Sequence, residues 1–452
     1  MEQPAAVILA AGRGTRMKSS LPKVLHPLCG RPMLEYLIAT LRRAGVRRLL
    51  VVVGREGEAI RGALGDRVEY VVQDPPRGTG DALARALPRL RGHALAYVLH
   101  GDMPFVSVRT LRALRQAIGR HAAASLATRR MEQTHRFGRI VRDPAGRFLR
   151  IVEEKDATPA EAAIREVNAG FYCFRIAEIR RTLRRIRPTN RQAEYYLTDA
   201  VGLLAAAGRE VVTVDVADAE ELLGVNTRAE LADAEAVARR RALRRLMDGG
   251  VTVIDPATTL VHDGVRVGPD TVLRPFTILT GRTVIGPSCE IGPGARIHDS
   301  ILGRRVRVRD STLEGVRIGE GTVVGPYAHL RPGTVVGRDV EIGNYAEMKK
   351  VRVGDRTKVH HKSYLGDAWI GADVNIGAGT ITCNYGLDRR KHRTTIGDRA
   401  YIGSDSMLIA PVRIGRGAAT GAGSVVTKDV PPRGVAVGVP ARVIRFLNGR
   451  PS

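Results

Sequence analysis

Mostly aliphatic residues recur at every sixth position through much of residues 251–452. The in-phase positions form three runs, namely Val261, Val267, Leu273, Leu279, Ile285, Ile291 and Ile297, then Ile318, Val324, Leu330, Val336, Ile342 and Met348, then Ile396, Ile402, Leu408, Ile414, Thr420 and Val426. An α-helix repeats at about 3.6 residues and a strand at about 2, so neither explains a period of six. A chain that turns a corner every six residues does, and the glycines that often follow the aliphatic residue suit such corners. The pattern therefore predicts a triangular parallel β-helix with the aliphatic side chains inside the prism.

The first 226 residues show a different pattern, in which short apolar runs alternate with amphipathic stretches. The apolar runs predict buried strands over 7–9, 49–53, 68–72 and 94–99. The spacing over 34–44 predicts a helix, and Ser107 is expected to cap another that runs to about Arg120. Strands that alternate with helices are typical of a doubly wound α/β domain.

A linker helix is expected between these two regions. Thr227 and Glu230 have the spacing of a capping box, and Ala-, Leu- and Arg-rich sequence then continues to Met247 without Pro or Gly. We therefore expect an α/β domain over 1–226, a linker helix over 227–250 and a β-helix domain over 251–452.

The composition narrows the function classes. The chain has 452 residues, of which 44% are hydrophobic and 26% charged, as in a globular protein of two or three domains. A net charge of +26 would suit a nucleic-acid binder, but the basic residues are spread along the chain and only 4% of residues are aromatic. We expect small anionic ligands and no nucleic-acid partner.

The sequence also bears on localisation. It contains no apolar stretch long enough to cross a membrane, and its N-terminus shows no basic segment of a signal peptide. The four cysteines are scattered and lack metal-ligand spacing. We expect a cytoplasmic protein with reduced cysteines and no membrane partner.

A glycine-rich loop follows the first expected strand. Residues 9–12 lead to Arg16 and then to Lys23. The backbone N–H groups of such a loop hold phosphates, and the two cations add positive charge. The dinucleotide fingerprint and the P-loop pattern are both missing from this stretch. The loop therefore indicates a nucleotide site of another type.

Two polar residues follow other expected strands. Asp102 comes directly after the strand over 94–99, and ligands of doubly wound folds bind at such strand ends. A lone carboxylate there suits Mg²⁺, which shares phosphate oxygens with its protein ligands. Gln73 follows the strand over 68–72, and its amide can pair with the edge of a pyrimidine. These residues predict a site for Mg²⁺ and a pyrimidine nucleotide.

In their order and spacing, these segments resemble the uridylyltransferase half of the bifunctional family that makes UDP-N-acetylglucosamine. The most specific part is the run Leu-Ala-Ala-Gly-x-Gly-Thr-Arg-Met with Pro-Lys shortly after, and the resemblance covers nearly the whole chain. It implies a Rossmann-like N-acetylglucosamine-1-phosphate uridyltransferase domain, followed by a glucosamine-1-phosphate N-acetyltransferase on a left-handed β-helix. It implies contacts to UTP from Leu9, Ala10, Ala11, Gly12, Lys23, Gln73, Gly78 and Thr79, Mg²⁺ ligation by Asp102 and Asn226, and sugar contacts from Gly138, Glu153, Asn168 and Thr198.

The chemistry of uridylyl transfer fits these residue types. UTP and a sugar phosphate are both anionic, so charge neutralisation and alignment dominate the barrier. We expect Arg16 and Lys23 to neutralise charge on the α-phosphate and the leaving pyrophosphate, with direct in-line attack and no protein nucleophile.

Chemistry-bearing residues cluster where the six-residue phase breaks, between residues 348 and 396. An amine must lose a proton before it attacks a thioester, and His361 suits that general base. Arg331 and Lys349 suit a sugar phosphate, while Tyr364 and Asn375 suit sugar hydroxyls.

The family resemblance extends these assignments. It implies that Asn384 and Tyr385 contact the substrate near the reaction centre, and that acetyl-CoA lies along Ala378, Ser404 and Ala422. It also implies a homotrimer, which would bury the flat faces of the prism and place sites between subunits.

The chain departs from the family pattern at four places. Asp81 stands where a His is usual after Gly-Thr-Gly, and His100 stands where an aromatic residue is usual before Gly-Asp. The loop over 386–391 is longer and more basic than the usual Asp-Gly. The ending over 437–442 lacks the Arg that often contacts the CoA phosphate, and Arg442 or Arg445 is expected to replace it.

Two other functions are compatible with this layout. One is a nucleotidylyltransferase of other specificity whose β-helix only oligomerises or regulates, which the cluster around His361 disfavours. The other is a non-enzymatic scaffold with a similar two-domain arrangement, as in some translation-factor subunits, which the full set of Arg16, Lys23, Asp102 and Asn226 disfavours.

Overall fold

The computed structural model describes residues 3–12, 14–55, 57–132, 134 and 136–447. The chain divides into two compact units, Met1–Val237 and Ala238–Ser452. Within the described residues, no helix combines the length and the hydropathy that a membrane crossing requires.

The first unit contains strands and helices in alternation. Strands β1 to β11 are, in chain order, Ala5–Ala10, Pro27–Leu28, Arg31–Pro32, Leu49–Val53, Glu69–Val72, Leu95–His100, Ala124–Arg130, Arg139–Arg142, Phe148–Val152, Glu166–Arg175 and Val211–Asp215. Helices α1 to α8 are Met33–Arg43, Gly57–Leu64, Thr79–Ala86, Val108–Ala117, Pro159–Ala162, Ile176–Leu183, Leu197–Ala206 and Arg228–Asp248. Short 3-10 turns cover Thr15–Met17, Lys23–Leu25, Gly65–Arg67, Leu87–Leu90, Glu154–Asp156 and Ala219–Leu222.

These elements form a three-layer α/β arrangement. The main sheet has the order β11-β7-β10-β6-β1-β4-β5, and β1 pairs in parallel with both β4 and β6. Alternate residues of β1 enter opposite cores, with Ile8 beneath α1 and α4 and Val7 beneath α3, α6 and α7. Helices therefore cover both faces, as a doubly wound fold requires. The sheet is nevertheless mixed, because β10 runs antiparallel to β6 and β7 and extends through the hairpin β8–β9.

The order of strands creates a crevice beside β1. The chain passes from β1 to β4 and β5 on one side and then returns to β6 on the other. Loops at this switch point diverge to opposite faces, so a ligand can enter between the carboxyl ends of β1 and β6. Those ends are Ala10 and His100, directly before the glycine-rich loop and Asp102.

The long helix α8 lies where the sequence predicts a helix, and it begins with the predicted capping box. The Thr227 hydroxyl accepts from the Glu230 N–H at 3.2 Å, and the Glu230 carboxylate accepts from the Thr227 N–H at 2.9 Å. These reciprocal bonds satisfy donors that a helix start leaves unpaired.

The second unit is a triangular prism whose three faces are built from parallel strands, except that the last strand, Ala441–Phe446, runs antiparallel to Gly434–Gly438. The first face contains Thr252–Val253, Val272–Leu273, Glu290–Ile291, Arg307–Val308, Val323–Val324, Glu341–Asn344, Lys358–His361, Asn375–Ile376, Tyr401–Ile402, Ala419–Thr420, Gly434–Gly438 and Ala441–Phe446. The second face contains Leu260–Val261, Ile278–Thr280, Arg296–His298, Thr312–Glu314, His329–Leu330, Glu347–Lys349, Tyr364–Gly366, Ile381–Cys383, Met407–Ile409 and Val425–Val426. The third face contains Arg266–Val267, Val284–Ile285, Ile301–Leu302, Arg317–Ile318, Val335–Val336, Arg352–Val353, Ala368–Ile370, Thr394–Ile396 and Val412–Ile414.

The six-residue period predicted this interior correctly. Every residue of the three runs is buried except Val267, which packs partly buried against the same core. Each coil visits the three faces in turn, so the apolar positions stack into one continuous column of hydrophobic side chains. Burial of each such side chain contributes about 1.5–3 kcal/mol, which explains why the period is maintained over so many coils.

The break in the six-residue period between Met348 and Ile396 comes from shortened steps and one longer segment. Buried Val353, Val359, Leu365, Ile370 and Ile376 continue the prism through this region, with some steps shortened to five residues. The one long departure is the segment 384–393, between a strand of the second face and a strand of the third. A similar shift between residues 297 and 318 carries none of the predicted site residues, so a phase shift alone does not mark a site.

Candidate active sites

Four predicted side chains meet at the switch point of the first unit. The Lys23 ammonium contacts the Asp102 carboxylate and lies 2.9 Å from the Asn226 side-chain oxygen. Arg16 donates to the same Asn226 oxygen at 3.0 Å. The sequence separates Lys23 from Asn226 by 203 positions, so the fold and not local sequence brings them together.

The backbone explains this convergence. The Gly101 N–H donates to the Leu9 carbonyl at 2.9 Å, which joins the ends of β6 and β1. The Val225 N–H donates to the Asp102 carbonyl, also at 2.9 Å, and the Asn226 N–H donates to the capping Glu230 carboxylate at 2.8 Å. The start of α8 therefore fixes Asn226 against the strand end.

The charge of this cluster is balanced by the cation. Burial by itself would raise the pKa of Asp102, but the Lys23 ammonium, His100 and a backbone hydrogen bond together outweigh it and hold that pKa below its ordinary value. The side-chain oxygens of Asp102 and Asn226 both contact the Lys23 ammonium, so the two oxygens converge on one position. Oxygens of this type are the ligands that Mg²⁺ prefers, and one or two suffice when phosphates supply the rest. The pair therefore fits a magnesium ion shared with phosphates.

Two adjoining cavities, of about 470 and 570 Å³, flank this cluster. Thr79, His100, Asp102 and Glu194 line both. The larger is also lined by the predicted UTP residues Leu9, Ala10, Ala11, Gly12, Lys23, Gln73 and Gly78. The smaller is also lined by the predicted sugar residues Gly138, Glu153, Asn168 and Thr198, together with Asn226.

The smaller cavity contains polar groups that are already held in place. The Thr198 hydroxyl donates to the Glu153 carboxylate at 2.9 Å, and burial raises the pKa of Glu153. Asn168 donates to the Tyr172 hydroxyl at 2.7 Å and accepts from the Gly170 N–H at 3.1 Å. These bonds orient the side chains before any ligand enters.

Two predicted contacts have an additional structural task. The Thr79 hydroxyl accepts from the Leu197 N–H at 3.0 Å and so ties the start of α3 to the segment before α7. Gly78 has φ of 105° and lies so close to Tyr195 that a Cβ would come within 2.6 Å of its carbonyl oxygen. Glycine is therefore required there for packing as well as for access to the cavity. His100, in place of the usual aromatic residue, is an imidazole whose pKa is lowered by burial.

In the β-helix, one column of the second face carries positive charge. Arg331 and Lys349 occupy equivalent positions on successive coils, because Leu330 pairs with Met348. Arg331 is partly neutralised by Glu347 at 2.9 Å. Repulsion from Lys391 and then from Arg331 lowers the pKa of Lys349. A bound phosphate would relieve this repulsion, so the column suits a sugar phosphate.

The next positions of this face add neutral hydrogen-bonding groups. Gly366 follows Lys349 in the column, and a Cβ there would lie 2.6 Å from the Tyr364 hydroxyl and 2.7 Å from the Asn384 amide nitrogen. The missing side chain therefore makes room for both polar groups. Asn384 is fixed by donation to the Asp367 carboxylate at 2.6 Å.

His361 lies at the adjoining corner of the prism. It ends a strand of the first face, three positions before Tyr364 begins the strand on the second. Its Nδ1 lies 2.9 Å from the side-chain oxygen of Asn344, the residue paired with it one coil earlier. An amide oxygen only accepts, so Nδ1 carries the proton and the Nε2 lone pair is available to a substrate.

The predicted acetyl-CoA residues form a straight column that starts at His361. The register of the first face places Ala378, Ser404 and Ala422 beneath His361 on three successive coils. Backbone bonds of 2.6 and 2.8 Å at the neighbouring corner join these coils. Arg442 lies in the last strand of this face, paired with Val437.

Two predicted residues stay outside these groups. Asn375 lies in a different column of the first face, beneath Lys358, and within one chain it does not join the Tyr364–Asn384 cluster. Tyr385 is 63% exposed and pairs with Lys391 across the 386–390 loop.

Sequence reasoning missed several polar residues that hold these sites. They are Glu194 in the nucleotide unit and Asn344, Glu347 and Asp367 in the β-helix. The β-helix partners stand 16 or 17 positions from the residues they contact, which is about one coil. A search at that spacing from His361, Arg331 and Asn384 would have found all three.

Comparisons with known proteins agree with this two-part arrangement. Residues 6–248 match the MobA-like NTP transferase domain, residues 253–353 the GMPPB C-terminal domain, and residues 393–428 the bacterial transferase hexapeptide with six repeats. The chain is 47% identical over 435 residues to the bifunctional protein GlmU of Desulfitobacterium hafniense (strain DSM 10664 / DCB-2), which covers 96% of this chain and 95% of that one. The chain belongs to the GlmU family.

Other members of the GlmU family support the same assignment. The bifunctional protein GlmU of Heliobacterium modesticaldum is 46% identical over 439 residues, covering 97% of this chain and 96% of that one. That of Pelobacter propionicus is 45% identical over 447 residues, covering 97% and 96%. The similarity therefore spans both units and not one of them alone.

Proposed function

We propose that this chain makes UDP-N-acetylglucosamine in two reactions, acetyl transfer in the β-helix unit and uridylyl transfer in the α/β unit. GlmU family membership over 96% of the chain supports the reaction classes, an N-acetyltransferase and a uridylyltransferase. The single observation that carries the proposal is that each unit holds its own cluster of chemistry-bearing residues, around Lys23 in one and around His361 in the other.

In the α/β unit, UTP occupies the larger cavity and N-acetylglucosamine-1-phosphate the smaller one. A phosphate oxygen of the sugar attacks the α-phosphorus of UTP as the bond to pyrophosphate breaks, so no covalent enzyme intermediate forms. Lys23 and Arg16 neutralise negative charge that grows on the transferred and leaving phosphates. Glu153 and Asn168 orient the sugar.

The oxygens of Asp102 and Asn226 would hold Mg²⁺. When bound, this ion neutralises phosphate charge and aligns the reacting oxygens. Lys23, which contacts both oxygens, is then available to the phosphates.

In the β-helix unit, Arg331 and Lys349 bind the phosphate of glucosamine-1-phosphate, and Tyr364 and Asn384 lie beside its sugar ring. His361 Nε2 accepts a proton from the substrate ammonium. The freed amine forms a bond to the acetyl carbon and the carbon–sulfur bond breaks. The proton held by His361 passes to the CoA sulfur, so CoA leaves as its thiol, and the second proton lost by the nitrogen passes to solvent. Ala378, Ser404, Ala422 and Arg442 form the strip along which CoA lies.

We also propose that the chain forms a homotrimer and works in the cytoplasm. Large side chains are exposed on the prism, among them Phe276, Trp369 and the stacked rings of Tyr327 and Tyr345. Subunit packing would cover such groups, and a neighbouring copy could complete the site from which Asn375 is separated within one chain. Light scattering should give three times the mass of 49.0 kDa. No disulfide joins the four cysteines, all of which lie within the described residues, and this suits a reducing compartment.

One incubation tests the two activities separately. The protein receives UTP, Mg²⁺, acetyl-CoA and glucosamine-1-phosphate, and free thiol and pyrophosphate are measured in parallel. We expect thiol release first and pyrophosphate release after it, because the second reaction needs the acetylated sugar. Thiol release alone, or pyrophosphate release that needs no acetyl-CoA, would contradict the coupled sequence.

A further inference from the structure

Asp81 touches the residue assigned to the nucleotide base. Gln73 follows β5, is 2% exposed and lines the larger cavity beside residues 9–12. The Asp81 carboxylate, in the first turn of α3, accepts from the Gln73 side-chain nitrogen at 2.8 Å. The same carboxylate oxygen accepts from Arg85 at 2.9 Å, one helical turn further on.

The contact determines which way the Gln73 amide faces. A carboxylate accepts hydrogen bonds and donates none. The Gln73 nitrogen also donates to the Gly78 carbonyl at 2.9 Å, so both of its hydrogens are committed to acceptors. A reversed amide would place its oxygen against two other oxygens with no hydrogen between them, which is unfavourable for a buried group. The oxygen of Gln73 is therefore the polar atom left for a ligand.

We propose that Asp81 is a positioning residue that makes Gln73 an acceptor and thereby selects the base. Uracil and thymine present a ring N3–H donor, which pairs with such an oxygen. Cytosine carries an unprotonated N3 at that place, so two lone pairs would face each other. The site then prefers UTP over CTP through Asp81, although Asp81 need not touch the base. This inference rests on the proposed uridylyl transfer and on the assignment of Gln73 to the base.

The test is Asp81→Asn in the full chain, with kcat/KM measured for UTP and for CTP through pyrophosphate release. Asparagine has nearly the same shape but can turn its amide and donate to Gln73, so only the Gly78 carbonyl still holds the Gln73 nitrogen and the reversed amide becomes more accessible. Loss of one oriented hydrogen bond should lower the UTP-to-CTP ratio about tenfold. The change should lie mainly in KM, because Asp81 does not contact the reacting phosphates.

The matched control is Arg85→Gln, which removes the ion pair but leaves the Asp81 carboxylate facing Gln73. Its UTP-to-CTP ratio should equal that of the wild type. Should Asp81→Asn not fold, as judged by thermal melting, Asp81→Leu serves as a second variant, and a lowered ratio is expected again because leucine offers no acceptor to the Gln73 nitrogen.

The outcomes separate this inference from the proposed function. A wild-type ratio in a folded Asp81 variant, or a wild type that uses CTP as well as UTP, overturns the role of Asp81 while uridylyl transfer stands. Absence of pyrophosphate release from UTP by the wild type refutes the proposed uridylyl transfer, and this inference with it.

Discussion

The hydrogen bond from His361 to Asn344 offers a sharp test of the acetyl-transfer site. Asn344→Ala removes the acceptor that keeps the proton on Nδ1 and the lone pair on Nε2. The bond is 2.9 Å long, and His361 is solvent-exposed, so water competes for the same proton. Such a bond contributes about 1 kcal/mol net, which corresponds to roughly a fivefold loss in the rate of acetyl transfer.

The assay follows thiol release from acetyl-CoA with glucosamine-1-phosphate in excess. Pyrophosphate release from UTP and N-acetylglucosamine-1-phosphate is the internal control, because it uses residues of the other unit. His361→Ala sets the lower limit and should abolish acetyl transfer, since a general base contributes about 10²- to 10⁴-fold. Uridylyl transfer should persist in both variants.

Asn344→Asp is the matched variant, because it keeps an acceptor of the same size at Nδ1. Acetyl transfer by Asn344→Asp should therefore stay closer to the wild-type rate than acetyl transfer by Asn344→Ala. Full acetyl transfer by Asn344→Ala would refute the role of Asn344. Loss of both activities by a folded His361→Ala would refute the separation of the two sites.

Three further changes test the remaining contacts. Lys23→Met should lower uridylyl transfer by about a hundredfold or more, because it removes charge stabilisation of the phosphates. Acetyl transfer measured by thiol release should not change. A loss of uridylyl transfer below about tenfold would argue against this role of Lys23. Burial raises the pKa of Glu153, so its carboxylate protonates at a higher pH than an ordinary Glu, and KM for the sugar phosphate should rise as pH falls through the weakly acidic range. Glu153→Gln should abolish that dependence, and a variant that retains it would assign the dependence to another group. Thr227→Ala should lower the free energy of unfolding by denaturant by about 1 kcal/mol through loss of the helix cap. Thr227→Ser should keep the cap and the stability of the wild type. Equal stability of all three proteins would mean that the cap contributes little.

Much of the architecture was predictable because it is periodic or local. The six-residue spacing predicted the interior of the prism, and the apolar runs predicted β1, β4, β5 and β6 within one or two residues. The capping box at Thr227 was predictable because its two residues lie three positions apart. The antiparallel strand β10 escaped prediction, because an apolar run shows burial on both faces but not the direction of its neighbours.

The sequence predicted many of the residues in the sites, but not the residues that contact them. Residue chemistry and the family resemblance identified His361 and Lys23, yet Asn344, Asp367 and Glu347 were missed, because their contacts are visible only at the spacing of a whole coil, 16 or 17 positions. The register of stacked strands decides which side chains meet, and small changes of step length alter that register.

By itself the sequence determined the two kinds of fold, the linker helix and the families of chemistry, because these depend on periodicity, caps and residue types that lie near one another in the chain. Only the tertiary structure decided that Lys23, Asp102 and Asn226 meet at one point. Lys23 and Asn226 lie 203 positions apart in the chain, and only the folded chain brings them together. It likewise decided that Asp81 faces the nitrogen of Gln73 and leaves the oxygen to the base. The direction of a hydrogen bond depends on what surrounds both groups, and that surrounding exists only in the folded chain.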